Sequence, residues 1–222
     1  MAVSVFGNPI TNSTLERTPE FAGKKNIQKI DRARAALSII NSDGKHGSSL
    51  QHVENLKETL VTIAGVNVVT IGSVSNATGD TVSFVTHHDW VGENALPPYP
   101  KVIENGQSGG FLHVTKSNVI IPPGKVGGSA GAVVYRGQNV FGVDCDVLLA
   151  WYNPSDSSLK RTAYTEVQER GYFGKVDWEI IYKKLKESGN KSESQWNGFV
   201  SNVKIRKIGE FTVFEAVLKL KE

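Results

Sequence analysis

Apolar residues follow two kinds of spacing along the chain, and each kind predicts a type of element. Between residues 26 and 41, and again between 49 and 64, they recur every three or four positions, which predicts two amphipathic helices. The same spacing over 176–186 places Trp178 and Tyr182 on one face of a third helix. The pattern therefore predicts an N-terminal helical pair and one later helix.

Shorter apolar runs predict β-strands. The runs 130–135 and 147–152 are rich in valine and aromatic residues, and they flank a turn region rich in Gly, Asn and Asp. They predict a hairpin at the centre of an antiparallel sheet. Further strands are predicted at 66–74, 81–86, 109–114, 118–121, 162–168, 202–208 and 211–220.

Turn residues between these runs suggest how some of the strands pair. Asn, Gly and Asp within 75–80 predict that the strands on either side form a hairpin. Gly209 and Glu210 predict a second hairpin that closes the chain. The polar segment 188–197 is predicted to be a mobile connection.

Together these elements predict a mainly β (α+β) fold. We expect an antiparallel β-sandwich with an N-terminal helical pair and one helix packed on the sheet. Residues 1–65 would form an arm and two helices packed on the main domain, and residues 66–222 would form the sandwich.

Composition and charge narrow the possible partners. The net charge of +3, from 25 basic and 22 acidic residues, gives no reason to expect a nucleic acid partner. A single cysteine, Cys145, cannot form an internal disulfide, which favours a reducing, cytoplasmic location. The start of the chain lacks a secretory signal pattern, and no apolar run approaches the roughly 18 residues of a spanning helix.

Candidate catalytic and metal-binding residues are sparse. His88, Asp89 and Ser108 could in principle form a triad, but glycine and proline dominate the interval, and a turn around Gly109 and Gly110 is the simpler interpretation. The adjacent His87 and His88 would point to opposite faces of a strand and so would not share a metal ion. We therefore predict no catalytic residue, no metal and no cofactor.

The strongest candidate site is aromatic. Trp151, Tyr152, Trp178 and Tyr182 are predicted to line a shallow pocket at one end of the sandwich. Aromatic faces bind choline-type cations and sugar rings through cation–π attraction and stacking. The alternative is that Trp151 and Trp178 are core residues between the helix and the sheet.

Several distinctive motifs occur along the chain, including Val3-Ser-Val-Phe-Gly-Asn-Pro, Asn76-Ala-Thr-Gly-Asp, His88-Asp-Trp, Pro98-Tyr-Pro, Phe111-Leu-His-Val and Asp144-Cys-Asp. These motifs resemble those of the small jasmonate-induced proteins of plants. The resemblance covers most of the chain up to about residue 155 and implies a soluble, stress- and hormone-responsive protein, with no catalytic residues to transfer.

The order of elements is also similar to that of the actinoporins, β-sandwich cytolysins related in structure to fungal fruit-body lectins. In that family tyrosines on the helix after the central hairpin hold a phosphocholine head group. Trp178 and Tyr182 stand at the matching positions here, but Lys183 replaces another expected tyrosine. The loop 155–159 also lacks the aromatic residues that the toxins use to adhere to membranes.

These observations lead to three hypotheses about function. The first is a non-enzymatic stress or defence protein that binds a lipid head group or a glycan, with peripheral membrane contact and homo-oligomerisation left open. The second is an actinoporin-like toxin that permeabilises membranes with the 49–64 helix. The third is a serine hydrolase that uses Ser108 and His88.

Overall fold

The computed structural model describes residues 4–24, 26–42, 66–95, 97–116, 127–209 and 211–221. Its helices are α1 (Asn12–Leu15), α2 (Lys29–Ser42) and α3 (Trp178–Glu187), with a short 3-10 helix at Tyr172–Gly174. Its strands are β1 (Val5–Phe6), β2 (Val66–Ala77), β3 (Val82–Val91), β4 (Glu93–Asn94), β5 (Val102–Ile103), β6 (Ser108–Lys116), β7 (Gly128–Gln138), β8 (Asp144–Pro154), β9 (Thr162–Glu169), β10 (Lys191–Trp196), β11 (Phe199–Ile208) and β12 (Phe211–Leu220).

The strands form two sheets that pack face to face, which confirms the predicted β-sandwich. One sheet has the order β1-β6-β2-β12-β11-β10, with β4 also paired to β6, and the other has the order β5-β3-β7-β8-β9. Neighbouring strands are antiparallel except for β2 and β12, which are parallel. The main core lies between the sheets and contains the rings of Phe111, Trp151 and Phe214.

The hairpin of β7 and β8 lies at the centre of the five-stranded sheet, as predicted. Ala130 pairs with Tyr152, and Tyr135 pairs with Val147. Both faces of β8 are covered, one by the other sheet and one by α3, which explains why its sequence is apolar without alternation. The predicted strand 162–168 is also confirmed, as β9.

The prediction that the strands at 66–74 and 81–86 form a hairpin is wrong. β2 belongs to the seven-stranded sheet and β3 to the five-stranded sheet, so the turn between them carries the chain from one layer to the other. The Asn76 amide donates to the carbonyls of Asp80 and Ile103, both at 2.8 Å. Arg32 binds this turn at the Gly79 carbonyl. The turn residues were identified correctly, but long-range contacts decide the pairing.

The prediction that 188–197 is mobile is also wrong, because β10 lies within it. β10 contains no apolar run, since it is the edge strand of its sheet. Its inward hydroxyls, those of Ser192 and Ser194, accept hydrogen bonds from the backbone N–H groups of Thr165 and Val167 on the edge of the other sheet. These serine side chains thus pair with backbone N–H groups on the edge strand β9 that would otherwise lack a partner.

The remaining predicted elements divide into confirmed ones and ones that lie outside the described residues. The helices at 26–41 and 176–186 correspond to α2 and α3, and the closing hairpin corresponds to β11 and β12. The helix at 49–64 and the strand at 118–121 fall outside the described residues. Among the helices that are described, none has the length and apolar character needed to cross a bilayer.

Candidate functional site

Trp151, one of the four residues predicted to line the site, lies elsewhere. Its side chain is fully buried between the two sheets, with its ring centroid 5.0 Å from that of Phe111 and 5.5 Å from that of Phe214. Successive side chains on a strand point to opposite faces, so Trp151 and Tyr152 cannot line the same pocket. Trp151 is a core residue, as the alternative interpretation stated.

The other three predicted residues lie together on the outer face of the five-stranded sheet. Two residues that were not predicted for this site, His88 and Trp90 on β3, join them. We call these five side chains the outer aromatic cluster: His88, Trp90, Tyr152, Trp178 and Tyr182. Tyr152 is buried beneath the other four rings of the cluster, which are half-buried.

The rings of the cluster form two stacked pairs. The His88 and Trp178 rings are nearly parallel, with an interplanar angle of 2° and a centroid distance of 4.7 Å. The Trp90 and Tyr182 rings stack at 4.9 Å and 15°. The two tryptophan rings meet edge to face at 6.2 Å, and Tyr152 contacts Tyr182 in the same manner at 6.1 Å. The cluster is therefore a continuous aromatic surface with defined geometry.

The helix that supplies two of these rings is fixed at its start and along one side. The Asp177 side chain caps it by accepting a hydrogen bond from the Glu179 backbone N–H at 2.9 Å. Trp178 and Tyr182 are four residues apart and so share one side, while Ile181 and Leu185 are buried against the sheet. The floor beneath the helix includes three small side chains, those of Ala130, Ala132 and Ala150.

A bulge in β3 positions the other two rings. The pairing with β7 shifts between Asp89 and Val91, which leaves Trp90 as the extra residue. Both Trp90 and Val91 consequently pack on the outer cluster, although they are consecutive. His88 and Trp90 were not predicted for this site because the predicted strand ended at residue 86. The alternation in His88-Asp89-Trp90 was the signal that would have found them.

Three features define the electrostatics of the outer aromatic cluster. The Lys186 ammonium lies 4.4 Å from the centroid of the Tyr182 ring, so a cation already occupies one face of that ring. Trp90 Nε1 is buried and has no hydrogen-bond partner among the described residues. Burial lowers the pKa of His88 and raises that of Tyr182 to about 12, which favours the neutral form of both rings at neutral pH.

A buried polar chain lies directly behind the cluster. Asp89 points inward, where its Oδ1 lies 3.2 Å from His113 Nε2, and His113 Nδ1 lies 2.9 Å from Ser129 Oγ. Trp151 Nε1 donates to the same Oγ at 3.3 Å. The two ring nitrogens of His113 can thus form hydrogen bonds with Asp89 and Ser129, with the carboxylate oxygen as an acceptor. This network joins β6 of one sheet to β3 and β7 of the other.

The residues of the alternative hydrolase hypothesis, Ser108 and His88, are not brought together. Ser108 Oγ is hydrogen-bonded to Ser75 Oγ at 2.8 Å, and the His88 ring is stacked on Trp178. Ser129 does contact a histidine, but Ser129 and His113 are both fully buried. Within the described residues, no group of three or more His, Cys, Asp or Glu side chains is placed to hold a metal ion.

The fold and this surface define a class of protein: an antiparallel β-sandwich that displays an aromatic cluster beside a single helix. A family model described as "Nakanori-like protein" matches residues 6–221, and the chain belongs to this family. The crystal structure of the lipid binding protein Nakanori superimposes with a TM-score of 0.77 at 25% identity, covering 97% of this chain and 99% of Nakanori.

Curated relatives confirm the resemblance to jasmonate-induced proteins. The "23 kDa jasmonate-induced protein" of Hordeum vulgare is 38% identical over 219 residues, which is 97% of this chain and 96% of the barley protein. A "jasmonate-induced protein homolog" of Atriplex canescens is 32% identical over 127 residues, which is 54% of this chain and 64% of that protein. The relationship to the barley protein therefore extends well beyond residue 155.

Proposed function

We propose that this protein is a non-enzymatic, stress-responsive protein that binds a choline-type lipid head group at the outer aromatic cluster. The names of its relatives support this proposal at a general level, because one is described as lipid binding and two as jasmonate-induced. The specific assignment rests on the chemistry of the cluster itself.

The observation that carries the proposal is the incomplete burial of four stacked rings. Ile181 and Leu185 already close the contact between helix and sheet, so the fold does not need Trp178 and Tyr182 for its core. Trp90 Nε1 adds a buried donor without a partner among the described residues. Such a donor carries a free-energy cost that an incoming phosphoryl or carbonyl oxygen would relieve.

Lys186 indicates which part of a head group fits each part of the cluster. Its ammonium lies over the Tyr182 ring, and a quaternary ammonium would be attracted to the same ring face. In the proposed complex the choline takes this position. The displaced lysine, which has a long and flexible side chain, then pairs with the lipid phosphate.

The test is sedimentation with phosphatidylcholine vesicles. Replacing Trp178 with alanine should weaken binding by about tenfold, since one cation–π or stacking contact contributes about 1 kcal/mol and the support that Trp178 gives to Trp90, on which Tyr182 stacks, is also lost. Tyr172→Ala is the matched control, because Tyr172 is a partly exposed aromatic residue outside the cluster. Equal binding by the two variants would refute the proposal. A response to maltose but not to phosphatidylcholine would identify a glycan site instead.

The affinity for the choline head group should fall as the pH drops below about 6.5. The pKa of His88 is lowered first by burial and also by His87, while Asp89 and Glu179 act in the opposite direction. His88 is therefore neutral at pH 7.5 and gains its charge only below its ordinary value of 6.5. An imidazolium beside a bound cation repels it, so we expect affinity about two- to tenfold lower at pH 5.

Two variants make this pH dependence specific to His88. His88→Phe keeps a ring against Trp178 and removes the charge, so its binding should be nearly independent of pH over this range. His87→Gln, at a more exposed position on the same strand, should keep the wild-type profile. An unchanged profile in His88→Phe would show that His88 is not the group responsible.

A further inference from the structure

The tip of the β7–β8 hairpin carries a compact group of exposed apolar side chains. Val140 is 39% exposed, Phe141 77% and Val143 52%, and Phe141 is the most exposed large apolar residue in the described part of the chain. We call these three residues the hairpin tip. An exposed apolar group of this kind marks a surface that contacts something other than water.

The backbone of this tip is prepared for an apolar medium. The buried Asn139 side chain accepts hydrogen bonds from the N–H groups of Phe141 and Val143, at 2.9 and 3.0 Å. The Gly142 N–H donates to the Asn139 carbonyl at 3.1 Å, and Gly142 supplies the positive φ of 74° that the turn requires. Three donors of the turn are thus satisfied internally, as a lipid environment demands.

The charges at the base of the tip are paired. Asp144 binds Arg170 at 2.9 Å. Lys29 donates to the carbonyls of Gln138 and Asn139 and pairs with Asp80 at 3.0 Å. No charged side chain lies within 139–143 itself. Inserting the tip into an apolar phase would therefore leave these charge pairs intact.

The tip is remote from the outer aromatic cluster. His88 pairs with Ala132 on β7, and position 140 is eight residues further along the chain. At about 3.3 Å per residue the two surfaces are roughly 25 Å apart. A bilayer that meets both must lie along the length of the hairpin.

We propose that the hairpin tip is a second membrane contact that enters the apolar part of a bilayer. This inference rests on the proposed lipid binding and adds an insertion point distinct from the head-group site. The tip is exposed, the backbone N–H groups of Phe141, Gly142 and Val143 are satisfied within the turn, and the charges at its base are paired, so it suits a deformable apolar phase. The two contacts together place the β7–β8 hairpin parallel to the membrane surface.

An environment-sensitive dye attached at the tip tests this inference. Phe141→Cys labelled with a nitrobenzoxadiazole dye should show a blue shift and an increase in emission of about twofold or more on addition of phosphatidylcholine vesicles. Cys145 is fully buried and should remain unlabelled. The control is Glu193→Cys with the same dye, at an exposed position on β10, where no change is expected.

A binding comparison separates this inference from the head-group proposal. Phe141→Ser should weaken vesicle binding about tenfold and leave the binding of soluble glycerophosphocholine unchanged, whereas Trp178→Ala should weaken both. Vesicle binding that depends on Trp178 but not on Phe141, with no dye response, would overturn the tip proposal alone. A dye response together with wild-type binding by Trp178→Ala would support the tip and overturn the head-group site.

The same variant tests the competing occupant of the tip. If wild-type protein self-associates in solution, and Phe141→Ser abolishes this association without changing vesicle binding, the tip is a contact between copies of the chain and the membrane proposal is overturned.

Discussion

Trp151→Ala is expected to lower the free energy of unfolding by about 3–5 kcal/mol. The ring is fully buried against Phe111 and Phe214, so its removal leaves a large cavity between the sheets. It also removes the indole donor that binds Ser129 Oγ. Urea unfolding followed by circular dichroism measures the loss without relying on tryptophan fluorescence.

Trp178→Ala is the comparison for this prediction. Trp178 is half-buried at the start of α3, so its loss should cost clearly less stability than the loss of Trp151. Trp151 should thus prove important for stability, whereas Trp178 should contribute mainly to the outer aromatic cluster. Equal losses of stability would contradict this division.

His113→Leu is expected to cost about 2–5 kcal/mol of stability. Leucine fills much of the space but removes the ring nitrogens that lie 3.2 Å from Asp89 Oδ1 and 2.9 Å from Ser129 Oγ. Ser129 is fully buried between the sheets, whereas the Asp89 side chain is 22% exposed, so the loss of a polar partner costs most at Ser129. The measurement is again urea unfolding.

Vesicle binding provides a second readout, which links the buried network of Asp89, His113 and Ser129 to the outer surface. Asp89 lies between His88 and Trp90, so losing its anchor should also loosen the β3 bulge and reduce vesicle binding. His87→Leu is the control, since the His87 side chain is 47% exposed and lies 3.7 Å from Asp89, so its loss should change stability by less than about 1 kcal/mol. A loss below about 1 kcal/mol for His113→Leu would show that the buried chain is not a structural link.

The sandwich could be predicted from the sequence because its strongest signals are local. The runs 130–135 and 147–152 are apolar and β-branched, and they pair as neighbours in the structure. The pairing of β2 with β12 could not be predicted, because it joins residues about 140 positions apart and has no local signature. β10 was missed for a different reason: an edge strand that contacts the other sheet through its own serine hydroxyls needs no apolar run.

The candidate site was predicted in part. Trp178 and Tyr182 were found because helical spacing places them on one side. Trp151 was included wrongly, although strand alternation alone separates it from Tyr152. Strand alternation would have placed His88 and Trp90 on one face, but their stacking on Trp178 and Tyr182 depends on the helix that crosses above them, which is a tertiary feature.

The indole N–H signals of the four tryptophans provide the most direct test of the head-group site. Trp90 and Trp178 lie in the outer aromatic cluster, whereas Trp151 and Trp196 pack with the main core. Titration of nitrogen-labelled protein with glycerophosphocholine should shift the signals of Trp90 and Trp178 and leave the other two in place. If none of the signals moves, or if only those of Trp151 and Trp196 move, the outer aromatic cluster is not the head-group site.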